Sequence, residues 1–217
     1  MKKKFFTLTL ACLCFLIFNP AFAQTDTAKR NKLLGISGIV YDGFTSGKVK
    51  EIFKPQFSSN LGVDILFKKS NFFLTTVVDI LSFGYYQDYT EKPQDPYRIK
   101  NGSSTFYLLE VTPGYRKTVK QWSLYGFAGP GAGLVNLPNA SIDNTLQTVT
   151  IVNNYSWTVS AKAGLGIDYS IGEFVVFLQG GYIHTFKQVQ NRDVNIFPIY
   201  IGLKSNISGI LKSSGAK

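Results

Sequence analysis

The amino-acid sequence predicts an all-β fold, an eight-stranded antiparallel up-and-down transmembrane β-barrel that follows a cleaved signal peptide. Two patterns predict the barrel: apolar and polar side chains alternate along eight segments, and the connections between these segments alternate between long and short. The composition agrees, because a chain with 45% hydrophobic and 17% charged residues is not intrinsically disordered. Twenty glycines and a single methionine among 217 residues favour strands and turns over a helical bundle.

Residues 1–23 have the three parts of a secretory signal peptide. Three lysines follow the first methionine, an apolar run covers 5–18, and residues 21–23 are the Ala-Phe-Ala of an A-x-A cleavage site. The apolar run is shorter than the ~20 residues that a membrane-spanning helix needs. We therefore expect cleavage after Ala23 and export from the cytoplasm.

Cleavage at this site changes the chemistry of the mature chain. Cys12 and Cys14 leave with the signal, so the mature protein has no disulfide, no cysteine-bound zinc and no cysteine nucleophile. The formal net charge falls from +10 to +7 because three lysines are removed, and in an exported protein this charge favours anionic envelope lipids over nucleic acid. No later stretch has 18 uninterrupted apolar residues, so a mature protein that spans a membrane does so as a barrel.

The strands are predicted from alternation with a period of two residues. In 155–169, one face reads Tyr, Trp, Val, Ala, Ala, Leu, Ile, Tyr, and the other reads Ser, Thr, Ser, Lys, Gly, Gly, Asp. A helix would mix these two sets, because its period is 3.6 residues. Segments 56–68 and 197–207 alternate as clearly. Five less regular segments complete the eight predicted strands: 33–44, 72–86, 104–115, 122–134 and 174–186.

The lengths of the connections indicate an outer-membrane barrel, in which tight periplasmic turns alternate with longer outer loops. The predicted long connections are 45–55, 87–103, 135–154 and 187–195, and the short ones are 69–71, 116–121 and 170–173. Strand length agrees, since Phe57 and Phe67 lie ten positions apart and so span roughly 25 Å of membrane at ~3.3 Å per residue and ~40° tilt. The predicted division of the chain is a signal peptide (1–23), a short N-terminal segment (24–32), the outer-membrane barrel (33–207) and a C-terminal tail (208–217).

The polar residues of the strands predict which face is outside. A soluble barrel carries many charges of both signs on its exterior, whereas here the polar face is mostly Ser, Thr, Asn and Gly. Small side chains suit the narrow interior of an eight-stranded barrel. The apolar face is therefore predicted to contact lipid, and the polar face to line the lumen.

A few charged residues of the polar face then converge in the lumen: Asp64, Asp79, Glu110, Lys162, Asp168 and Lys204. Unpaired charges in a closed lumen are costly, so these residues are predicted to form a structural ion-pair network. A path for protons or ions through the same residues is the functional alternative.

The sequence favours no catalytic residue, cofactor or metal site. His184 is the single histidine and has no serine neighbour in sequence, so it is interpreted as an interfacial or rim residue rather than a catalytic base. The glycine-rich segment 129–133 lacks both the GxGxxG spacing and a following helix. The segment 43–48, GFTSGK, lacks the spacing of a P-loop, so neither segment is interpreted as a nucleotide site.

Basic residues cluster at the predicted outer rim: Lys48, Lys50, Lys54, Arg98, Lys100, Lys187 and Arg192. Lipopolysaccharide presents phosphates at this level, and Lys and Arg side chains bind phosphate. The alternative is a solvated loop surface, since four acidic residues lie among them: Asp88, Glu91, Asp95 and Asp193.

Segment 106–136 reads FYLLEVTPGYRKTVKQWSLYGFAGPGAGLVN: a strand with a proline before its turn, a Tyr-Arg pair, and a second strand with Ala-Gly-Pro-Gly. Together with a signal that ends in Ala-Gln and the GLGIDYSIGE turn at 164–173, it resembles the PorT-like family of small outer-membrane β-barrel proteins of Gram-negative bacteria. The resemblance covers nearly the whole mature chain. It implies a barrel akin in shape to OmpX and the OmpA barrel, which the barrel-assembly machinery of the envelope inserts. Members of this family generally have no assigned substrate, so the resemblance implies no functional residues.

Three classes of function follow from these predictions. The favoured one is a non-catalytic outer-membrane barrel with a structural or adhesive role, whose outer loops bind lipid, lipopolysaccharide or a partner protein. The second is a small-solute conduit, which a lumen filled with side chains disfavours. The third is a soluble periplasmic barrel that binds a ligand inside, as lipocalins do.

Overall fold

The computed structural model describes residues 32–45, 47–86, 99, 101–143, 148–172 and 174–208. Nine strands form one antiparallel sheet in these residues: β1 (Lys32–Thr45), β2 (Phe53–Pro55), β3 (Ser58–Leu66), β4 (Phe72–Tyr85), β5 (Gly102–Val119), β6 (Trp122–Asp143), β7 (Thr148–Ile171), β8 (Phe174–Val189) and β9 (Arg192–Asn206). A short 3₁₀ helix, Gly47–Glu51, lies between β1 and β2. No helix within the described ranges is long and apolar enough to cross a membrane.

Eight of the strands close into a ring. Around it the order is β4, β3, β1, β9, β8, β7, β6 and β5, and β5 pairs again with β4. The first and last strands of the chain close the ring through a ladder from Leu34↔Asn206 to Thr45↔Ile196. The one described strand outside this order, β2, pairs with the end of β4 and continues the line of β3. The predicted antiparallel ring of eight strands is confirmed.

Alternation along each strand separates an apolar outer face from a polar or mixed inner face. On β7, Trp157 is 76% exposed while the adjacent Thr158 is 4% exposed. Further along the same strand, Leu165 is 65% exposed and Asp168 is 1% exposed. Since successive side chains of a strand point to opposite faces, the large apolar residues lie outside the ring and the charged residue lies inside.

The two ends of the barrel differ. At one end, here called the turn mouth, tight turns join β3 to β4, β5 to β6 and β7 to β8. All three turns have left-handed backbone, at Lys69 (φ 58°), Lys120 (φ 56°) and Gly172 (φ 61°), a conformation that tight hairpin turns use. The opposite end, where β1, β4, β6 and β8 finish, carries the remaining connections.

The connection between β1 and β3 folds into that opposite end, which we call the plugged mouth. Its residues Val49, Ile52 and Phe53 are at most 1% exposed and form the apolar plug. The Phe53 ring lies 5.4 Å from the ring of Phe83 and 5.7 Å from that of Phe106, both on the inner face. Each buried side chain of this size stabilises the fold by roughly 1.5–3 kcal/mol. Part of the predicted loop 45–55 thus belongs to the core.

Two other predicted long connections are wrong. Within 135–154, β6 and β7 remain paired as far as Asp143↔Thr148, and within 187–195, β8 and β9 meet at Val189↔Arg192. The turn between β8 and β9 is only two residues long, with both residues at positive φ. The strands continue into segments where few apolar residues mark the inner face, although Val135, Val189 and Val194 are buried there.

Close packing between β5 and β6 gives a test of the ring. A Cβ added at Gly133 would press on the Tyr107 carbonyl group and lie 2.9 Å from Cα of Leu108, whereas a Cβ at Gly180 would meet no atom within 4 Å. We expect Gly133→Ala to lower the free energy of unfolding by roughly 1–3 kcal/mol through overpacking. The matched variant Gly180→Ala is expected to change it by less than about 0.5 kcal/mol. Urea titration of the refolded protein in detergent measures both, and equal effects would contradict this packing.

Candidate functional site

Four charged side chains form a closed cluster inside the barrel, here called the four-charge cluster. Lys204 Nζ lies 2.8 Å from Asp64 Oδ2 and 3.1 Å from Asp168 Oδ2. Arg116 Nη2 lies 3.2 Å and 3.0 Å from the same two oxygens. Each cation therefore contacts both carboxylates, and two positive charges balance two negative ones. The four residues come from β3, β5, β7 and β9, so the cluster crosses the lumen.

Aromatic rings enclose this cluster. Lys204 Nζ lies 4.6 Å from the ring centre of Tyr125 and 5.2 Å from that of Phe177. The Arg116 guanidinium carbon lies 5.1 Å from the ring centre of Phe73 and 5.2 Å from that of Tyr125. The π faces of the rings attract the two cations. The rings also help to keep water away from the four charged side chains, which are at most 10% exposed.

A second group, the three-charge cluster, consists of Asp79, Glu110 and Lys162. Lys162 pairs with Asp79, and its Nζ lies 4.9 Å from the ring centre of Tyr200. Glu110 Oε1 accepts a hydrogen bond of 2.9 Å from the Ser160 hydroxyl group. All three charged residues are at most 2% exposed.

The structure places all six residues of the predicted lumen network on the inner face and buries them. It brings Asp64, Asp168 and Lys204 into direct contact, and it pairs Asp79 with Lys162. Glu110 makes its hydrogen bond to a serine rather than to a cation. The six residues therefore lie in two separate clusters along the lumen.

Sequence reasoning missed Arg116. The predicted short connection 116–121 begins too early, since β5 continues to Val119. The inward set of this strand runs from Ser104 in steps of two and reaches Glu110 and then Arg116. If the strand is continued past Pro113, the even-numbered positions remain on the inner face, and this pattern would have identified Arg116.

Only some of the predicted rim residues lie within the described part of the chain. Lys50, Lys54 and Lys187 are exposed. Arg192 Nη1 lies 3.8 Å from Glu51 Oε2, so this cation already has an acidic neighbour. Lys48 belongs to the 3₁₀ helix, but its side chain lies outside the description, as do Arg98 and Lys100 entirely.

His184 lies on β8 and is partly exposed. Its Nδ1 atom is 2.7 Å from Asn195 Oδ1, and its ring makes an edge contact with Phe186 at 4.9 Å. The glycine-rich segment 129–133 lies inside β6 and precedes no helix. Among the described residues, no group of three or more His, Cys, Asp or Glu could hold a metal ion.

Solved structures share this fold. A major outer membrane protein from Thermus thermophilus matches 81% of this chain and 98% of its own, with a TM-score of 0.57 and 10% identity. Neisserial surface protein A matches 81% of this chain and 96% of its own, with a TM-score of 0.52 and 10% identity. No protein-family model and no curated protein matches the sequence. At this identity, the likeness shows a common barrel fold.

The four-charge cluster predicts a large effect of removing one cation. Lys204→Met leaves Arg116 alone against two buried carboxylates, and we expect the free energy of unfolding to fall by about 3–5 kcal/mol. Lys120→Met, at an exposed turn, is the matched control and is expected to change it by less than about 0.5 kcal/mol. Chemical unfolding in detergent, followed by circular dichroism, compares the two. Similar stability of both variants would contradict a role for Lys204 in holding the two carboxylates.

The pair in the three-charge cluster gives a second test. Lys162→Met alone leaves Asp79 buried without its cation and is expected to be strongly destabilising, by about 3–5 kcal/mol. The double variant Lys162→Met with Asp79→Leu replaces the pair by apolar side chains and is expected to recover most of this loss. The same unfolding experiment applies. A double variant less stable than Lys162→Met would contradict a simple ion pair.

Proposed function

We propose that the chain is the precursor of a small integral outer-membrane β-barrel protein, exported by the signal peptide at 1–23, that acts through its outer surface and rim rather than by catalysis. The observation that carries the proposal is the inverted distribution of side chains. Large apolar residues cover the outside of the ring, and paired charges lie inside it. A β-barrel in lipid requires this arrangement, since no water is present on its outer face.

The dimensions of the outer face support a membrane location. From Trp157 to Tyr169 the outward stripe of β7 is twelve residues long, which covers roughly 30 Å of membrane at ~3.3 Å per residue and ~40° tilt. Exposed aromatic residues lie toward both mouths. Near the turn mouth, Trp122 and Tyr169 have ring centres 4.5 Å apart, and Phe72 and Tyr115 are 5.5 Å apart. Such residues favour the two interfaces of a bilayer.

The same arrangement disfavours a soluble, lipocalin-like barrel. A lipocalin holds its ligand among inward apolar side chains and exposes polar ones. Here the described lumen holds two charge clusters and the apolar plug, and the exterior carries Leu and Ile residues that are about half exposed, such as Leu109 and Leu124.

A conduit for small solutes is disfavoured for a related reason. The four-charge cluster crosses the lumen from β3 to β7 and from β5 to β9, and the apolar plug fills the plugged mouth. An eight-stranded ring has room for little besides its own side chains. Within the described residues, both layers stand in the way of an open pore.

The rim is the proposed contact surface. Lys50, Lys54 and Lys187 are exposed near the plugged mouth, where they would meet the phosphates of lipopolysaccharide. The proposal extends to Lys48, Arg98 and Lys100, whose side chains lie outside the described part of the chain. The proposal also includes membership of the PorT-like family and insertion by the barrel-assembly machinery. The proposed role in the envelope is structural or adhesive.

Heat-modifiability tests the membrane barrel. Closed outer-membrane barrels remain folded in cold detergent, so unboiled protein from the outer-membrane fraction should migrate differently from boiled protein on a gel. The expected result is a clear shift that disappears on boiling. Soluble protein without any shift would overturn the proposed function and would favour the ligand-binding barrel.

Conductance tests the closed lumen. Purified protein in planar bilayers is expected to give a flat current trace, because the charge clusters and the plug occupy the lumen. Reproducible current steps from the wild-type protein would support the conduit instead. A porin inserted under the same conditions serves as the positive control.

A further inference from the structure

An apolar groove of about 740 Å³ lies on the outer face of the barrel, across β6 to β9. Outward residues that line it include Gly126, Ala163, Gly180, Tyr182, Phe197 and Ile199. The groove is shallow and open to the surroundings, so it contacts only one side of a molecule that lies in it. In the proposed membrane setting the groove opens to lipid.

The groove has local causes in the sequence. A side chain at Gly180 would meet no atom within 4 Å, so the floor is open at this position. The pairing between β8 and β9 is interrupted after Gly180↔Ile199 and resumes at Ile183↔Ile196. Pro198, which has no N–H to donate, lies in this interruption. The rings of Tyr182 and Phe197, 5.0 Å apart, form one wall.

Polar side chains lie at the end of the groove that is nearer the plugged mouth. Asn195 Oδ1 accepts a hydrogen bond of 2.8 Å from the Tyr182 hydroxyl group and lies 2.7 Å from His184 Nδ1. Tyr182, His184 and Asn195 all lie on the outer face. Closer to the turn mouth, the outward residues of β8 are apolar: Phe174, Val176 and Leu178. Polar groups that face lipid are costly unless they meet headgroups or water.

A lysine follows these polar groups on an irregular segment of β8. The register between β8 and β9 shifts between Thr185 and Val189, which leaves Lys187 exposed on the bulge. The nearest acidic residue of β9, Asp193, accepts a hydrogen bond of 2.8 Å from Gln188. Bulges re-aim side chains at binding sites, and here the re-aimed side chain is a cation.

We propose that this groove binds one acyl chain of an anionic membrane lipid, whose phosphate-bearing headgroup is held by Lys187 and by the cluster of Tyr182, His184 and Asn195. The proposal rests on the proposed function, since the groove must face a bilayer. It commits to an amphiphile because one end of the site is apolar and the other end provides a cation and hydrogen-bond donors. An anionic headgroup complements Lys187, whereas a neutral zwitterionic one does so less.

The test is native mass spectrometry of the full-length mature protein, folded in detergent, with phosphatidylglycerol or phosphatidylcholine added as the probe. Wild-type protein is expected to retain one phosphatidylglycerol molecule in preference to phosphatidylcholine. Gly180→Leu fills the groove and should lower the retention of both lipids about tenfold. Lys187→Gln should leave the acyl-chain site intact and lower the preference for phosphatidylglycerol about fivefold, as expected for one lysine near a membrane surface.

Two matched variants serve as controls. Thr76→Leu places a leucine on the outer face of β4, which lies opposite β8 in the ring of eight. Lys120→Gln removes a lysine from the turn mouth. Both are expected to retain lipid as the wild type does. Equal retention of lipid by Gly180→Leu and Thr76→Leu would overturn the site. A dimer of the wild-type protein that only Gly180→Leu abolishes would also overturn it, since the groove would then bind a second copy of the chain.

Failure of this site can be distinguished from failure of the proposed function. Each variant is also tested for heat-modifiability, which reports a closed barrel. A wild-type protein that is soluble and does not shift would contradict the membrane barrel itself. A heat-modifiable protein in the outer-membrane fraction that retains both lipids equally would overturn the lipid site alone.

Discussion

Pairing of charge inside a narrow closed sheet is the interaction on which the rest of this structure depends. A ring of eight strands with an apolar exterior has no place for ionised side chains except its lumen or its rims. Inside the lumen an isolated charge is expensive, so the sequence has to supply partners on distant strands. Lys204 meets Asp64 and Asp168, which are far from it in sequence, and the contact forms only when the ring closes. The charge clusters therefore favour one register over its alternatives.

The apolar plug complements the charged layers. Val49, Ile52 and Phe53 fill the mouth that the two charge clusters leave open, and they bury surface that a free loop would expose. The two charge clusters and the apolar plug are therefore buried in successive layers inside the described ring. The exposed aromatic residues, the basic rim and the groove across β6 to β9 lie on its outside.

The sequence predicted the ring well because an apolar outer face and a packed lumen require a strict alternation of side chains along each strand. All eight strands of the ring were predicted, and the six charged residues assigned to the lumen lie on its inner face together with Arg116. The extensions within 135–154 and 187–195 were missed because only scattered apolar residues, such as Val135, Val189 and Val194, mark their buried face. Arg116 was missed because Pro113 looks like the start of a turn, and the plug was missed because a three-residue apolar contact has no periodicity to detect.

The most direct test of the inverted barrel uses its own fluorescence. The chain has two tryptophans, and Trp122 (51% exposed) and Trp157 (76% exposed) lie outside the ring toward opposite mouths. In vesicles of phospholipid brominated near the headgroup, both should be quenched more strongly than in vesicles brominated at the ends of the acyl chains. The variants Trp122→Phe and Trp157→Phe resolve the two signals. Fluorescence that neither brominated lipid quenches would show that the apolar face does not contact the membrane, and would contradict the account.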